Sequence, residues 1–225
     1  MTYTGDVTVG GTPDVRVLPA LTITKVAVDA EMSNNAYLLR CTDTGEQVLI
    51  DAAAEAEVLL DLIGDAGLTT VITTHQHWDH HRALGAVVDA TGASVAAGDP
   101  DADAITEQTD VPVAMRLSHG DRVPVGSCTL EVLAIAGHTP GSIALLYVDP
   151  EDGGHPHLFT GDSLFPGGVG ATFGDEAAFA QLVDEVDTKI FGTLPDSTWV
   201  YPGHGGDTVL GTERPHVPEW RARGW

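Results

Sequence analysis

Positive charge is scarce in this sequence: ten Lys and Arg stand against 33 Asp and Glu, a formal net charge of −23, and only Lys25 and Lys189 are lysines. A field of that sign repels phosphate backbones and anionic membrane surfaces, which argues against nucleic acid and membrane as partners. No stretch approaches the roughly 18 consecutive apolar residues of a membrane span. The opening, MTYTGDVTVGG, lacks the basic and apolar regions of a signal peptide, so the expectation is a cytoplasmic protein acting on a small molecule. Cysteine is scarce too. Cys41 and Cys128 sit in alternating apolar stretches with no paired metal-ligand spacing, and they read as small buried thiols, not as a disulfide or a nucleophile. Long linkers, low-complexity tracts and short-period repeats are absent, so residues 1–225 are expected to form one folded unit.

At 43% hydrophobic residues, 225 residues are enough to bury a substantial core. Short β-rich segments at 15–18, 21–28, 36–41 and 47–51 suggest an antiparallel meander. A helix follows, because Ala56, Leu59, Leu60 and Ile63 share one face and Gly64 and Gly67 supply the stop. A strand at 71–74, a helix at 82–90, a strand at 94–97 and an acidic helix near Pro100 complete the first half. The second half repeats the plan, with strands at 122–125, 129–135, 143–148 and 157–160. An amphipathic helix through Phe179, Leu182, Val183, Val186 and Ile190 follows, then a strand at 198–201. Strands followed by helices, twice over, predict two sheets stacked between helical layers.

The densest chemistry lies in Thr74-His75-Gln76-His77-Trp78-Asp79-His80, three imidazoles and a carboxylate directly after a predicted strand. On extended backbone His75 and His77 project to one side, while a turn begun at Asp79 sends Asp79 and His80 into a neighbouring space. One loop can thus serve two adjacent metal ions. Three further candidates end strands beside glycine: Gly137-His138-Thr139, Gly161-Asp162-Ser163 and Gly203-His204-Gly205. Imidazole and carboxylate suit zinc, iron and manganese alike. His81, His119, His155, His157 and His216 fall outside the pattern and read as ordinary surface or core residues.

Taken together these positions resemble the HxHxDH, His, Asp, His signature of metallo-β-lactamase-fold hydrolases, over roughly residues 20–220. Asn35-Ala36-Tyr37-Leu38, Gly161-Asp162-Ser163-Leu164-Phe165 and Thr208-Val209-Leu210-Gly211-Thr212-Glu213 are similar to the small glyoxalase II-like branch. The resemblance implies an α/β protein, a four-layer αββα sandwich with the metal site at one edge of the sheets. It implies two divalent ions, zinc in the first instance and iron or manganese as alternatives. His75, His77 and His138 would hold the first, Asp79, His80 and His204 the second, and Asp162 would bridge them. Asp51 matches the aspartate that orients the histidine loop, although a carboxylate there can also cap the helix that follows.

The implied activity is attack of a metal-bound hydroxide on a thioester or other carboxylic ester, with Asp79 and Asp162 as the catalytic carboxylates. Two alternatives share the fold: lactone hydrolysis, and an iron-dependent persulfide dioxygenase using His75, His138 and Asp162. Gly167-Gly168-Val169-Gly170-Ala171 departs from the GGCGR-like run of enzymes acting on glutathione thioesters, because Ala171 stands where their cation is expected. Trp78 can wall a substrate pocket or pack internally. Arg214, His216, Arg221 and Arg223 can meet an anionic substrate or stay solvated. The acyl group, the carrier thiol and the oligomeric state are left open by the sequence.

Overall fold

Strands such as Gln47–Ile50 and Thr70–Thr73, buried at every position, belong inside a layered stack. The structure, a computed structural model describing residues 2–149 and 153–224, has that form. β1 (Asp14–Val17), β2 (Leu21–Val28), β3 (Asn34–Cys41) and β4 (Gln47–Ile50) make an antiparallel meander. After α1 (Ala56–Ile63) the chain enters β5 (Thr70–Thr73), parallel to β4. It continues through α2 (Leu84–Thr91), β6 (Ser94–Gly98), α3 (Asp99–Thr109) and β7 (Met115–Leu117), giving a seven-stranded sheet in sequence order.

The second half opens with another antiparallel meander, β8 (Arg122–Val125), β9 (Cys128–Ala134), β10 (Ile143–Val148) and β11 (Pro156–Gly161). A small hairpin, β12 (Leu164–Phe165) with β13 (Gly168–Val169), precedes α4 (Glu176–Val186), whose first turn is capped by the Asp175 carboxylate. β14 (Trp199–Pro202) then pairs in parallel with β11, and β15 (Thr208–Val209) closes a six-stranded sheet of order β15-β14-β11-β10-β9-β8. α5 (Leu210–Glu213) and α6 (Val217–Arg223) follow.

Side-chain alternation sorts the core into three seams, as a four-layer stack requires. Between the sheets, Ile23, Leu39, Val48, Ile50 and Ile72 meet Leu130, Val132, Ile143, Leu145 and Phe159. The intervening positions Val26, Leu38, Leu49, Val71 and Val95 face Leu59, Ile63, Leu84, Val87 and Ile105 of α1, α2 and α3. On the far side Leu133, Leu158 and Val200 pack on Phe179, Leu182, Val186, Val217 and Trp220 of α4 and α6. The fold is therefore the αββα sandwich expected from the sequence. Strand bounds fall within two residues of those expected, and 21–28, 122–125 and 143–148 coincide with β2, β8 and β10. Not anticipated were β7, β12, β13 and β15, each of two or three residues and too short to carry a period, and the π-helical turn Asp187–Phe191 that prolongs α4. Both cysteines are buried free thiols. No helix among the described residues is long and apolar enough to cross a membrane.

Candidate metal centre

The loops leaving β5, β9, β11 and β14 meet at one edge of the sandwich, fastened to each other by main-chain hydrogen bonds. Ile143 N donates to Thr74 O at 2.9 Å across the two sheets, and Gly203 N donates to Gly161 O at 2.8 Å. Asn35 N donates to Gly203 O at 2.7 Å, while the Asn35 side-chain amide and the Tyr37 hydroxyl both donate to Pro202 O. Further down the same loop, the buried Lys25 ammonium donates to Gly5 O, Gly205 O and Asp207 Oδ1 at 2.6–2.8 Å. The N-terminal segment thereby anchors the loop that carries His204.

All seven residues singled out by the spacing come together here, in two adjoining groups. His75 Nε2, His77 Nδ1 and His138 Nε2 form a triangle with sides of 3.2, 2.9 and 3.3 Å. Beside it, His80 Nε2, His204 Nε2 and Asp79 Oδ2 lie 3.2–3.5 Å apart. Asp162 stands between the groups, with Oδ1 3.3 Å from His80 Nε2 and Oδ2 3.4 Å from His204 Nε2 and 3.6 Å from His138 Nε2.

The outer nitrogens explain what the inner ones present. His80 Nδ1 donates to Asp51 Oδ2 at 2.8 Å, His138 Nδ1 to Ala171 O at 2.7 Å, and His204 Nδ1 to Met32 O at 3.0 Å. Thr74 gives its hydroxyl proton to Asp51 and so accepts from His75 Nδ1 at 3.1 Å. In the neutral rings each Nε2 is then an unprotonated lone pair directed inward. Several lone pairs and two carboxylates facing one another within 3.6 Å repel unless a cation lies among them, and Asp162 Oδ1 is buried without a hydrogen bond. A tetrahedral ion with nitrogen donors at about 2.0–2.1 Å separates them by roughly 3.3–3.4 Å, close to the spacing seen. The donors therefore fit two metal ions. Gly203 contributes by having no side chain, since a Cβ there would collide with Asp162 Oδ1 and His80 Cε1.

Without ions, protons share the second group. Burial disfavours the His204 cation, but the Asp162 and Asp79 carboxylates outweigh it and raise its pKa to about 9; Asp162 and Asp51 likewise raise His80 against burial. His75, His77 and His138 are pushed down, first by burial and then by neighbouring imidazoles. Burial alone would raise the Asp79 carboxyl, yet the His204 hydrogen bond, the His80 charge and the Asn34 amide hold it below the usual carboxylate range.

Asp51 binds His80, the Thr74 amide at 2.7 Å and the Thr74 hydroxyl, while α1 has Glu55 at its N-cap and no side-chain cap, so the capping alternative does not apply. Trp78 neither packs internally nor lines the metal cavity. It is 53% exposed, stacks on the Arg82 guanidinium and faces a separate groove with His81 and Gln108. Arg214 is tied to Asp196, Arg221 to Asp184 and Asp187, and Arg223 donates to Gly167 O at the rim of the metal cavity. Three contributors escaped the sequence reading: Asn34, which donates to Asp79 Oδ2 at 2.9 Å, Gly203, and Asp101.

Residues 30–204 match the Metallo-beta-lactamase superfamily. The chain belongs to that superfamily. Among curated relatives, hydroxyacylglutathione hydrolase of Thermosynechococcus vestitus is 36% identical over 180 residues, covering 79% of this chain and 66% of that protein. The Ruegeria pomeroyi protein of the same name is 33% identical, covering 80% of this chain and 65% of its own length. The chain thus spans slightly less than two thirds of the length of these relatives. Among solved structures, ETHE1 from Myxococcus xanthus superposes with a TM-score of 0.74 at 33% identity, over 89% of this chain and 84% of that one. TTHA1623, solved in a di-iron-bound form, gives 0.64 at 32% identity, over 84% of this chain and 96% of its own.

Proposed function

We propose that this superfamily member is a metal-dependent hydrolase that cleaves a thioester or another carboxylic ester. The observation that carries the reading is the pair of adjoining donor groups with Asp162 between them, each outer imidazole nitrogen but that of His77 being held by an acceptor. In this proposal His75, His77 and His138 hold one ion, Asp79, His80 and His204 the other, and Asp162 both. Zinc is the first expectation, and the di-iron form of TTHA1623 supports iron as the alternative. Bound divalent ions supply Lewis acidity and lower the pKa of water from 15.7 to roughly 7, so no serine or cysteine nucleophile is needed. Hydroxyacylglutathione hydrolases among the relatives support a thioester as the scissile group.

The chain's own residues shape the rest. The cavity over the donors, about 490 Å³, is walled by Met32, Phe165, Val169 and Phe173 and rimmed by Arg223. Phe165 and Phe173 offer apolar surface to an acyl or thiol group, and Arg223 offers a cation to a carboxylate at the far end of a substrate. Asp79, held ionised below the usual carboxylate range, keeps a negative charge at Oδ2 toward the second group, and the Asn34 amide fixes that oxygen in place.

The deciding experiment incubates zinc-, iron- and manganese-loaded protein with thioesters, lactones, persulfides and β-lactams. Thioester or ester hydrolysis, lost on chelation and restored by metal, is the expected result. Oxygen consumption with a persulfide and no hydrolysis would instead support iron chemistry at His75, His138 and Asp162, where His138 Nε2 lies 3.3 Å from His75 Nε2 and 3.6 Å from Asp162 Oδ2. Failure on every ester and thioester after metal loading would reject the hydrolase reading.

A further inference from the structure

Asp101 lies in the first turn of α3, fully buried, with no place in the spacing pattern that points to the metal centre. Its carboxylate accepts three hydrogen bonds from two different loops. Oδ2 takes the amide of Gln76, the residue between His75 and His77, at 2.9 Å, and the Thr139 hydroxyl, next to His138, at 2.6 Å. Oδ1 takes the Gly141 amide at 2.7 Å. Ser142 completes the arrangement, because its hydroxyl lies 2.6 Å from the Thr139 hydroxyl and accepts the Thr139 amide at 3.2 Å. Space is tight: a Cβ on Gly141 would lie 2.7 Å from the Asp101 carboxyl carbon, and one on Gly98 would strike the Gly141 carbonyl.

We propose that Asp101 is a positioning residue for the first metal site, a buried carboxylate that sets the separation between the His75–His77 loop of one sheet and the His138 loop of the other. The division of labour with Asp51 is clear in the contacts. Asp51 holds Thr74 and the His80 ring and touches neither His77 nor the 138–142 loop, whereas Asp101 holds the backbone behind His77 and His138 and touches nothing in the second group. The two oxygens of a carboxylate can accept all three hydrogen bonds. An asparagine cannot, because its amide group would face either the Gln76 or the Gly141 N–H, donor against donor.

The inference rests on the proposed ligand sets, and the experiment separates the two. Zinc affinity is measured by competition with a chromophoric chelator in two backgrounds: His204→Ala, which keeps only the first group complete, and His77→Ala, which keeps only the second. Asp101→Asn should weaken zinc roughly 10- to 100-fold in the first background and less than about threefold in the second. Thr139→Val, which removes one hydrogen bond and keeps the carboxylate, should weaken the first site by a smaller factor. It decides the matter if Asp101→Asn does not fold. Equal losses at both sites, or an unchanged first site in a folded Asp101→Asn or in Thr139→Val, would overturn the assignment while leaving the ligand sets standing. Absence of zinc binding by the unmutated protein would overturn both.

Discussion

Gly203→Ala is the most economical probe of the centre, because it adds one methyl group and removes no donor. The new Cβ would lie 2.7 Å from His80 Cε1 and closer still to Asp162 Oδ1. Non-bonded carbon contacts relax at about 3.5 Å or more, so the carboxylate, the ring or the loop must yield by on the order of 1 Å. Metal–ligand distances tolerate about 0.2 Å, so a shift of that size is several times what coordination allows. Asp162 faces His80, His138 and His204, and both sites should therefore weaken, by at least roughly tenfold. The fold should suffer less. Overpacking at one position costs about 1–3 kcal/mol, equivalent to a Tm lower by roughly 2–12 °C in a chain of this size. Gly206→Ala, in the same loop but with open space around its Cβ, serves as the control. Elemental analysis, chelator competition and thermal melts of metal-free and metal-loaded protein provide the measurements. Two zinc ions held by Gly203→Ala with affinities within threefold of the unmutated protein would refute the placement of Asp162 between the sites.

Asp162→Asn keeps the volume and removes the charge between the two groups, so both sites should lose affinity and turnover should collapse while circular dichroism is preserved; Asp79→Asn should chiefly weaken the second site, and site-resolved zinc titration checks both. In metal-free protein the raised pKa of His204, about 9, means that its cation stabilises the fold fully below the unfolded value near 6.5, and that this contribution is lost as pH rises through 9. Chelated protein should thus lose on the order of 1–2 kcal/mol between pH 6.5 and 9, after allowance for solvent screening, while zinc-loaded protein should not; melts at the two pH values decide. Glutathione thioesters should be poor substrates, because Ala171 supplies no charge where a cation is expected. The missing contact, about 1.5–3 kcal/mol, corresponds to a roughly 10- to 100-fold lower kcat/KM than for the best thioester of a panel, and equal efficiency would show that Arg223 or another group recognises the carrier.

Much of this architecture was legible because the relevant signals are local. The alternation that opens 21–28 and the short apolar run at 143–148 marked strands β2 and β10, and the glycine after Ile63 marked the end of α1. The histidine loop announced itself through density along seven consecutive residues. The unread residues have no such local signature. Asp101 looks like one more acid in an acidic helix, and its importance comes from loops 25 and 38–40 residues away reaching the same carboxylate. Asn34 acts on Asp79 from 45 residues away, and Gly203 matters because the Asp162 carboxylate and the His80 ring, both distant in sequence, occupy the space its side chain would fill. Trp78 sits within the histidine loop and still turns outward, because the short 3-10 turn Trp78–His80 directs its neighbours inward and leaves the indole to stack on Arg82.

Neither half of the chain carries a complete donor group. The seven-stranded half supplies His75, His77, Asp79 and His80, and the six-stranded half supplies His138, Asp162 and His204. In the proposed ligand sets each ion therefore works as a rivet through the seam between the sheets, with donors on both sides of it. Ion binding is then a measure of assembly: a chain whose halves have each formed but have not yet docked offers only partial, weak sites, and full occupancy favours the docked state by mass action. The metals would inspect the joint that they also use.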